Sequence, residues 1–139
     1  MVKLKLVLDS NEYIFYFDDK SDDISRLFDL HNLKISINNL IIEEAIRNIR
    51  KDSIKDFFNL LKNPKFEVII EKISEHLIEK YRKLGLKKGD VVIAAFCDSI
   101  NANYLITENR HFLKSKKFDR FKVLSLKKFF GKSKEQTRY

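Results

Sequence analysis

The stretch GDVVIAAFCDSINANYLITENRHF at residues 89–112 constrains the fold most. It enters on a carboxylate, Asp90, at an expected helix start, and Asp90 is read as the helix cap. A small-residue apolar helix follows, running to about Ala102. A short buried strand over Tyr104 to Thr107 comes next and stops in the polar cluster Thr107-Glu108-Asn109. A carboxylate-led helix feeding a buried strand is half of a βαβ-type site, because parallel strands gather ligands beyond their carboxyl ends. The other half is a second strand ending in acid, and VKLKLVLD supplies it, closing on Asp9.

The rest of the chain alternates in the same way. Residues 2–8 change from apolar/lysine alternation to the continuous run Leu6-Val7-Leu8, the mark of a strand buried on both faces. Ser10 and Asn11 are capping types, and residues 12–17 continue as a short helix. DDKSDD at 18–23 reads as a loop leading to a helix over roughly 23–31. Lys34 to Ile37 is a second strand. Asn38 or Asn39 then caps a helix whose Leu40, Ile42, Ala45, Ile46 and Ile49 share one face. A further helix spans 52–62 and stops at Asn63-Pro64. Residues 66–70 fit a strand or a helix entry. From Ile70 the spacing Ile70, Ile73, Leu77, Tyr81, Leu84 is helical, with Gly85 placed to end it. Arg110 to Ser115 is a turn or short helix, Phe121 to Ser125 a last strand, and Leu126 to Phe130 precedes a fraying tail. The pattern predicts a three-layer α/β/α domain with a mainly parallel central sheet of four to five strands. The domain is expected over 1–131, with a basic tail at 132–139.

Composition narrows the function classes. At 44% hydrophobic and 35% charged, the chain is globular rather than disordered. The single cysteine, Cys97, sits in an apolar run and forms no intrachain disulfide; it reads as a small core hydrophobe. No apolar run reaches the ~18 residues of a membrane span, and the first hydrophobic run breaks at Asp9, so a cytoplasmic location is expected. A net charge of +8 admits a polyanionic partner.

The predicted topology brings separated polar groups to one rim. Asp9 follows the first strand. Glu43 and Glu44 lie early in the helix after the second. Asp90 opens a later helix, and Asn109 follows the fourth strand. Crowded carboxylates repel unless a cation neutralises them. Oxygen donors without a His or Cys pattern select a hard ion, Mg²⁺ or Mn²⁺, which suits attack of activated water on a phosphodiester. Asp98 is about two helical turns, ~12 Å, beyond Asp90, too far for the same ion though within range of a substrate. Glu108 is expected to point away from Thr107 and Asn109. His31, His76 and His111 lack metal spacing, and His111 is nearest the rim.

LVLDSN at 6–11, KISINNLIIEEAIRNI at 34–49 and GDVVIAAFCDSINANYLITENRHFL at 89–113 resemble the three motif blocks of PIN domains. These are metal-dependent ribonucleases, and many small prokaryotic ones are VapC-like toxins of toxin–antitoxin pairs. The resemblance implies that Asp9, Glu44 and Asp90 hold Mg²⁺ or Mn²⁺, with Glu43 the competing register for Glu44. It implies that Asn11 braces Asp9, that Thr107 orients the corner, and that Arg110 and Lys114 meet RNA phosphates. It further implies a small antitoxin partner, a homodimer, and a role for Tyr13, Phe15 and Tyr16 in a dimer or antitoxin surface. Asn109 departs from the pattern, because many members carry a fourth acid there. It is counted with the catalytic group as an auxiliary ligand or water positioner. Its neutrality leaves the number of metals open and supplies an alternative reading, a catalytically weakened module for RNA binding or complex assembly. A phosphoryl-transfer domain of haloacid-dehalogenase type fits less well, since it needs an Asp where Asn11 stands.

Overall fold

The structure, a computed structural model, describes residues 3–19, 22–114 and 118–137; of residues 19, 22 and 132–137 only the backbone is described. Five parallel strands make one sheet: β1 (Leu4–Leu8), β2 (Leu33–Asn38), β3 (Phe66–Ile69), β4 (Tyr104–Ile106) and β5 (Lys122–Leu124), in the order β3-β2-β1-β4-β5. Leu6, Val7, Leu8, Ile35, Ile37, Leu105 and Ile106 are buried, as strands covered on both faces require. The helices are α1 (Ser10–Asp19), α2 (Asp22–Phe28), α3 (Asn39–Asn48), α4 (Ile54–Leu61), α5 (Glu75–Lys83), α6 (Lys88–Ser99), α7 (Arg110–Lys114) and α8 (Leu126–Thr137). They flank the sheet in the expected α/β/α arrangement. Among the described residues no helix is long and apolar enough to cross a membrane.

The chain lays down β1, β2 and β3 in one direction, then returns to place β4 on the other side of β1. The sheet order therefore reverses between β1 and β4. At such a switch point the connections leave in opposite directions and open a crevice at the carboxyl ends of the strands. Leu8 pairs with Ile106 there, so the chain leaves the two strands side by side at Asp9 and Thr107.

Several boundaries differ from the sequence reading. Helix α5 starts at Glu75, not at Ile70. Ile70 follows the end of β3 and is exposed, and the Ser74 hydroxyl caps the helix by accepting from Leu77 N. The apolar spacing that suggested an earlier start comes from Ile70 and Ile73, loop residues whose positions continue the helical period of Leu77 and Tyr81. Gly85 does end α5, at φ 93°, a left-handed conformation that glycine adopts without steric cost. The cap of α6 is Lys87, so Asp90 lies inside the first turn rather than at its boundary; α6 ends at Ser99. The expected 18–23 loop is shorter than its polar composition suggested: residues 18 and 19 belong to α1 and 22 and 23 to α2, and residues 20 and 21 lie outside the described residues. Helix α8 continues through Thr137, so the backbone does not fray after Phe130. The basic side chains of the 132–139 tail lie outside the described residues.

Aromatic residues fill the space under α1, α2 and α4. Tyr13 contacts Phe57 edge-on at 5.6 Å, and Phe28 contacts Phe66 at 5.5 Å. Tyr13 is therefore core, Tyr16 is partly covered, and Phe15 is exposed.

Two buried acids shape stability in opposite ways. Asp98, on the inner face of α6, accepts from Tyr81 Oη at 2.8 Å and from Lys80 Nζ at 3.0 Å, and Arg120 lies 3.6 Å away. Burial alone would raise its pKa; the Tyr81 hydroxyl, Lys80 and Arg120 together hold it below the usual aspartate value. Glu12, in the first turn of α1, is 3% exposed and its Oε1 has no protein hydrogen-bond partner. Burial, then the charges of Glu108 and Asp9, push its pKa up to about 8.

Asp98→Ala strands the Tyr81 hydroxyl and should cost about 3 kcal/mol of unfolding free energy near neutral pH. Because the folded pKa of Asp98 is depressed, its contribution is present above the unfolded value and lost as pH falls through the folded one. Denaturant unfolding at several acidic pH values checks this: the gap between wild type and variant should close on acidification. Glu12 behaves oppositely, because its folded pKa lies above its unfolded one. Its contribution is complete below the unfolded value and disappears as pH rises through the folded one. Glu12→Gln should be roughly 2 kcal/mol more stable than wild type near pH 9 and about equal near pH 5. A difference that does not change with pH contradicts the assignment.

Candidate active site

The crevice between β1 and β4 is organised by Asp9. Its backbone N–H donates to Ile106 O at 3.0 Å, tying the end of β1 to the end of β4. The side chain is 5% exposed, and both its oxygens are engaged. Oδ1 accepts from Ser10 N at 2.8 Å, and Oδ2 accepts from the Thr107 hydroxyl at 2.8 Å. A carboxylate just ahead of α1 also meets the positive end of that helix. Thr107 is fully buried and its hydroxyl accepts from Asn109 N at 3.0 Å, which fixes the turn after β4.

A second arm of hydrogen bonds reaches α3. Ser10 Oγ donates to Glu44 Oε2 at 3.0 Å. The Asn38 side chain caps α3 by accepting from Ile41 N at 3.0 Å, which sets the first turn of the helix at the rim. Glu44 is the half-buried member of the glutamate pair, and Glu43 is exposed. The other Glu44 oxygen meets α6: a Cβ at Gly89 would lie 3.0 Å from Oε1. Glycine thus lets the first turn of α6 approach Glu44, and the next residue is Asp90.

Asp90 is half-buried. Burial raises its pKa first and the charge of Asp9 second. His111 acts against them, the charge of Glu44 adds to them, and a hydrogen bond with the Asn109 side chain also opposes them. Asp9, Glu44 and Asp90, from three chain-distant elements, therefore feel one another electrostatically. Hydrogen bonds link Asn109, Thr107, Asp9, Ser10 and Glu44 in turn around the crevice, and Glu44 meets the first turn of α6 at Gly89.

The contrast with Asp98 is informative. Asp98 sits in the same helix as Asp90 but is neutralised by Lys80 and Arg120. Among the described residues no lysine or arginine forms an ion pair with Asp9, Glu44 or Asp90. Asp9 and Glu44 are held instead by neutral donors.

The other expected site residues divide. Asn11 is exposed, and the bracing expected of it comes from Ser10 N–H and Thr107. Asp98 belongs to the α5–α6 contact rather than to the rim. Glu108 is exposed and its Oε1 accepts from Leu126 N at 3.3 Å. Arg110 and Lys114 are exposed on α7, the helix that starts next to Asn109, and the exposed His111 between them is close enough to act on Asp90. Ser10, Glu12 and Gly89 were not singled out from sequence. Ser10 was read as a generic cap type, although its place directly after Asp9 is a usable signal. Gly89 is one of three glycines and immediately precedes the key acid. Glu12 lies three residues beyond Asp9, one helical turn back toward the same rim.

The donor set fits a hard divalent cation in chemistry: three carboxylates, oxygen only, sharing one field and lacking a cationic partner. It is not closed. Among the described residues no group of three His, Cys, Asp or Glu side chains already stands at metal-holding geometry.

Among solved structures, the chain is similar to DNA-bound VapBC from Salmonella typhimurium (21% identity, TM-score 0.66, covering 88% of this chain and 98% of that one). It is similar to VapBC2 from Rickettsia felis bound to a promoter DNA fragment (19%, TM-score 0.65, with the same coverage). It is also similar to the T. brucei RRP44 PIN domain (7%, TM-score 0.61, covering 98% of this chain and 82% of that one). At these identities the likeness establishes the fold. No curated protein matches the sequence. The family model for the PIN domain matches residues 6–117, which takes in all three acids and runs from within β1 through α7. The chain belongs to the PIN-domain family.

Proposed function

We propose that this protein is a Mg²⁺- or Mn²⁺-dependent endoribonuclease acting as the toxin of a toxin–antitoxin pair. The observation that carries the catalytic part is the set of three carboxylates, Asp9, Glu44 and Asp90, at the sheet switch point, with no lysine or arginine among the described residues paired to them. Family membership supports nuclease chemistry. The similarity to VapBC complexes supports the toxin role and a small antitoxin partner.

Asp9, Glu44 and Asp90 would hold the cation. When bound, it supplies the Lewis acidity that neutralises phosphate charge and makes water a competent nucleophile toward phosphorus. The protein's own part is preorganisation. Asp9 is locked by Ser10 and Thr107, so one ligand keeps its direction whether or not a cation is present. Ser10 also restrains Glu44, linking two ligands through one side chain. Asp90 is brought in by α6, whose small residues Ala94 and Ala95 are fully buried and let the helix lie close to its neighbours. Arg110 and Lys114, exposed beside the crevice, would attract the RNA backbone on either side of the scissile phosphate. An open groove of about 760 Å³ lined by Tyr16, Phe17, Arg50 and Leu60 lies away from the acids, on α1, α4 and the turn between α3 and α4. It is the surface we assign to the antitoxin. A homodimer is the expected assembly.

Asp9→Asn should lower the cleavage rate of a fluorogenic RNA by roughly 100-fold or more while leaving the far-UV circular dichroism unchanged. Full activity in the variant contradicts the assignment. RNA binding without any cleavage by wild type at millimolar Mn²⁺ favours the weakened module instead. Gly89→Ala places a methyl group against Glu44 Oε1 and should weaken Mn²⁺ binding about tenfold, measured by calorimetry, since the displaced carboxylate loses its pose. Unchanged affinity removes Glu44 from the ligand set.

A further inference from the structure

The two edges of the sheet are built differently. β5, at one edge, is three residues long and exposes Lys122, a charge that discourages strand pairing. β3, at the other, is apolar where it is open. Val68 is 42% exposed, and Ile70, just beyond the strand, is 72% exposed. Residues 70 and 71 continue from β3 without a helix or turn. The backbone of β3 has an inner and an outer side. Lys65 O accepts from Ile35 N of β2 at 2.9 Å. In a pleated parallel ladder, alternate residues turn both backbone groups to the same neighbour. Glu67 and Ile69 therefore face β2, and Val68 turns its N–H and C=O outward. Among the described residues no strand pairs with that side.

The sequence of this edge is complementary to itself. Run antiparallel about a twofold axis at Val68, the segment KFEVIIE at 65–71 sets Val68 opposite Val68, Phe66 opposite Ile70 and Lys65 opposite Glu71. Val68 exchanges both backbone bonds with its copy, and Ile70 N–H meets the outward carbonyl of Phe66. Unlike charges face each other at both ends. Lys65 Nζ donates to Leu30 O, and its ammonium retains further donors for Glu71. The neighbouring registers lose this match. An axis at Glu67 sets Glu67 against itself, and an axis at Ile69 sets Glu67 against Glu71, like charges directly opposed across the strands.

We propose that two copies of this chain pair their β3 strands antiparallel about Val68 to form one continuous sheet. This gives the expected homodimer a surface, and it rests on the edge alone, not on the cation site. The contact is self-complementary and closed, because the edge left over in each copy is β5 with its exposed Lys122. Antiparallel pairing points the carboxyl ends of the two sheets in opposite directions. The two crevices therefore stay apart, and each copy meets its substrate separately.

Sedimentation equilibrium of the full chain tests the pairing. The wild type should be a reversible dimer at micromolar concentration. Glu71 is exposed and lies outside β3, so Glu71→Lys leaves the fold intact while opposing lysines at both ends. It should weaken the dimer about tenfold, and adding Lys65→Glu should restore it. Crosslinking locates the axis. Val68→Cys puts two thiols across it with Cα atoms about 5.5 Å apart, within disulfide reach, and should give a linked dimer on mild oxidation. Ile70→Cys should not, because Ile70 and its copy stand about 14 Å apart. The native Cys97 is buried and does not compete. A wild type that stays monomeric into the submillimolar range overturns the proposal. So does a dimer indifferent to Glu71→Lys, or one that Ile70→Cys links as readily as Val68→Cys. None of these readouts involves RNA or metal, so the pairing and the proposed function fail separately.

Discussion

Three carboxylates brought to one rim repel each other, and among the described residues no lysine or arginine pairs with them. Ser10 and Thr107 bind Asp9 and Glu44 through hydroxyl and backbone N–H donors rather than through ion pairs. Asp98 shows the alternative within the same helix: an acid paired with Lys80 and Arg120 serves packing and is closed to other chemistry. The pairing state of an acid, more than its presence, separates site from scaffold here.

The fold supplies the meeting point. Placing β4 beside β1, after β2 and β3 have been built on the other side, brings residues far apart in sequence to adjacent strand ends. The Asp9–Thr107 hydrogen bond spans ninety-eight positions and depends on the Leu8–Ile106 register. Burial in a parallel sheet then restricts how those ends move. The first turns of α1 and α6 face the same crevice, so their dipoles favour the negative charge collected there. Glu12 shows the limit of that tolerance: buried in the α1 turn beside Asp9 and Glu108, it is held toward its neutral form.

What could be read from the sequence follows the range of the interactions involved. Strands β1, β2 and β4 were legible because full burial demands unbroken apolar runs. Asp9 and Asp90 were legible because acids next to such elements share an edge in any parallel α/β sheet. The start of α5 was misplaced because Ile70 and Ile73 continue the helical spacing of Leu77 and Tyr81, and only the Ser74 cap shows where the helix begins. The choice between Glu43 and Glu44 needed the position of Ser10. The importance of Gly89 needed the approach of α6 to Glu44. In each case the missing information is tertiary, set by which surfaces pack together rather than by residue type.

The central claim is that the trio of Asp9, Glu44 and Asp90 is a binding site for one hard divalent cation. Electron paramagnetic resonance of Mn²⁺ titrated into the purified protein tests it most directly, because the free-ion signal is lost on binding whether or not a substrate is known. The account expects saturable loss of that signal, with Mg²⁺ competing for the same site and the Asp9→Ala, Glu44→Ala double variant leaving it undiminished. A free-ion spectrum that persists unchanged with wild-type protein into the millimolar range would contradict it.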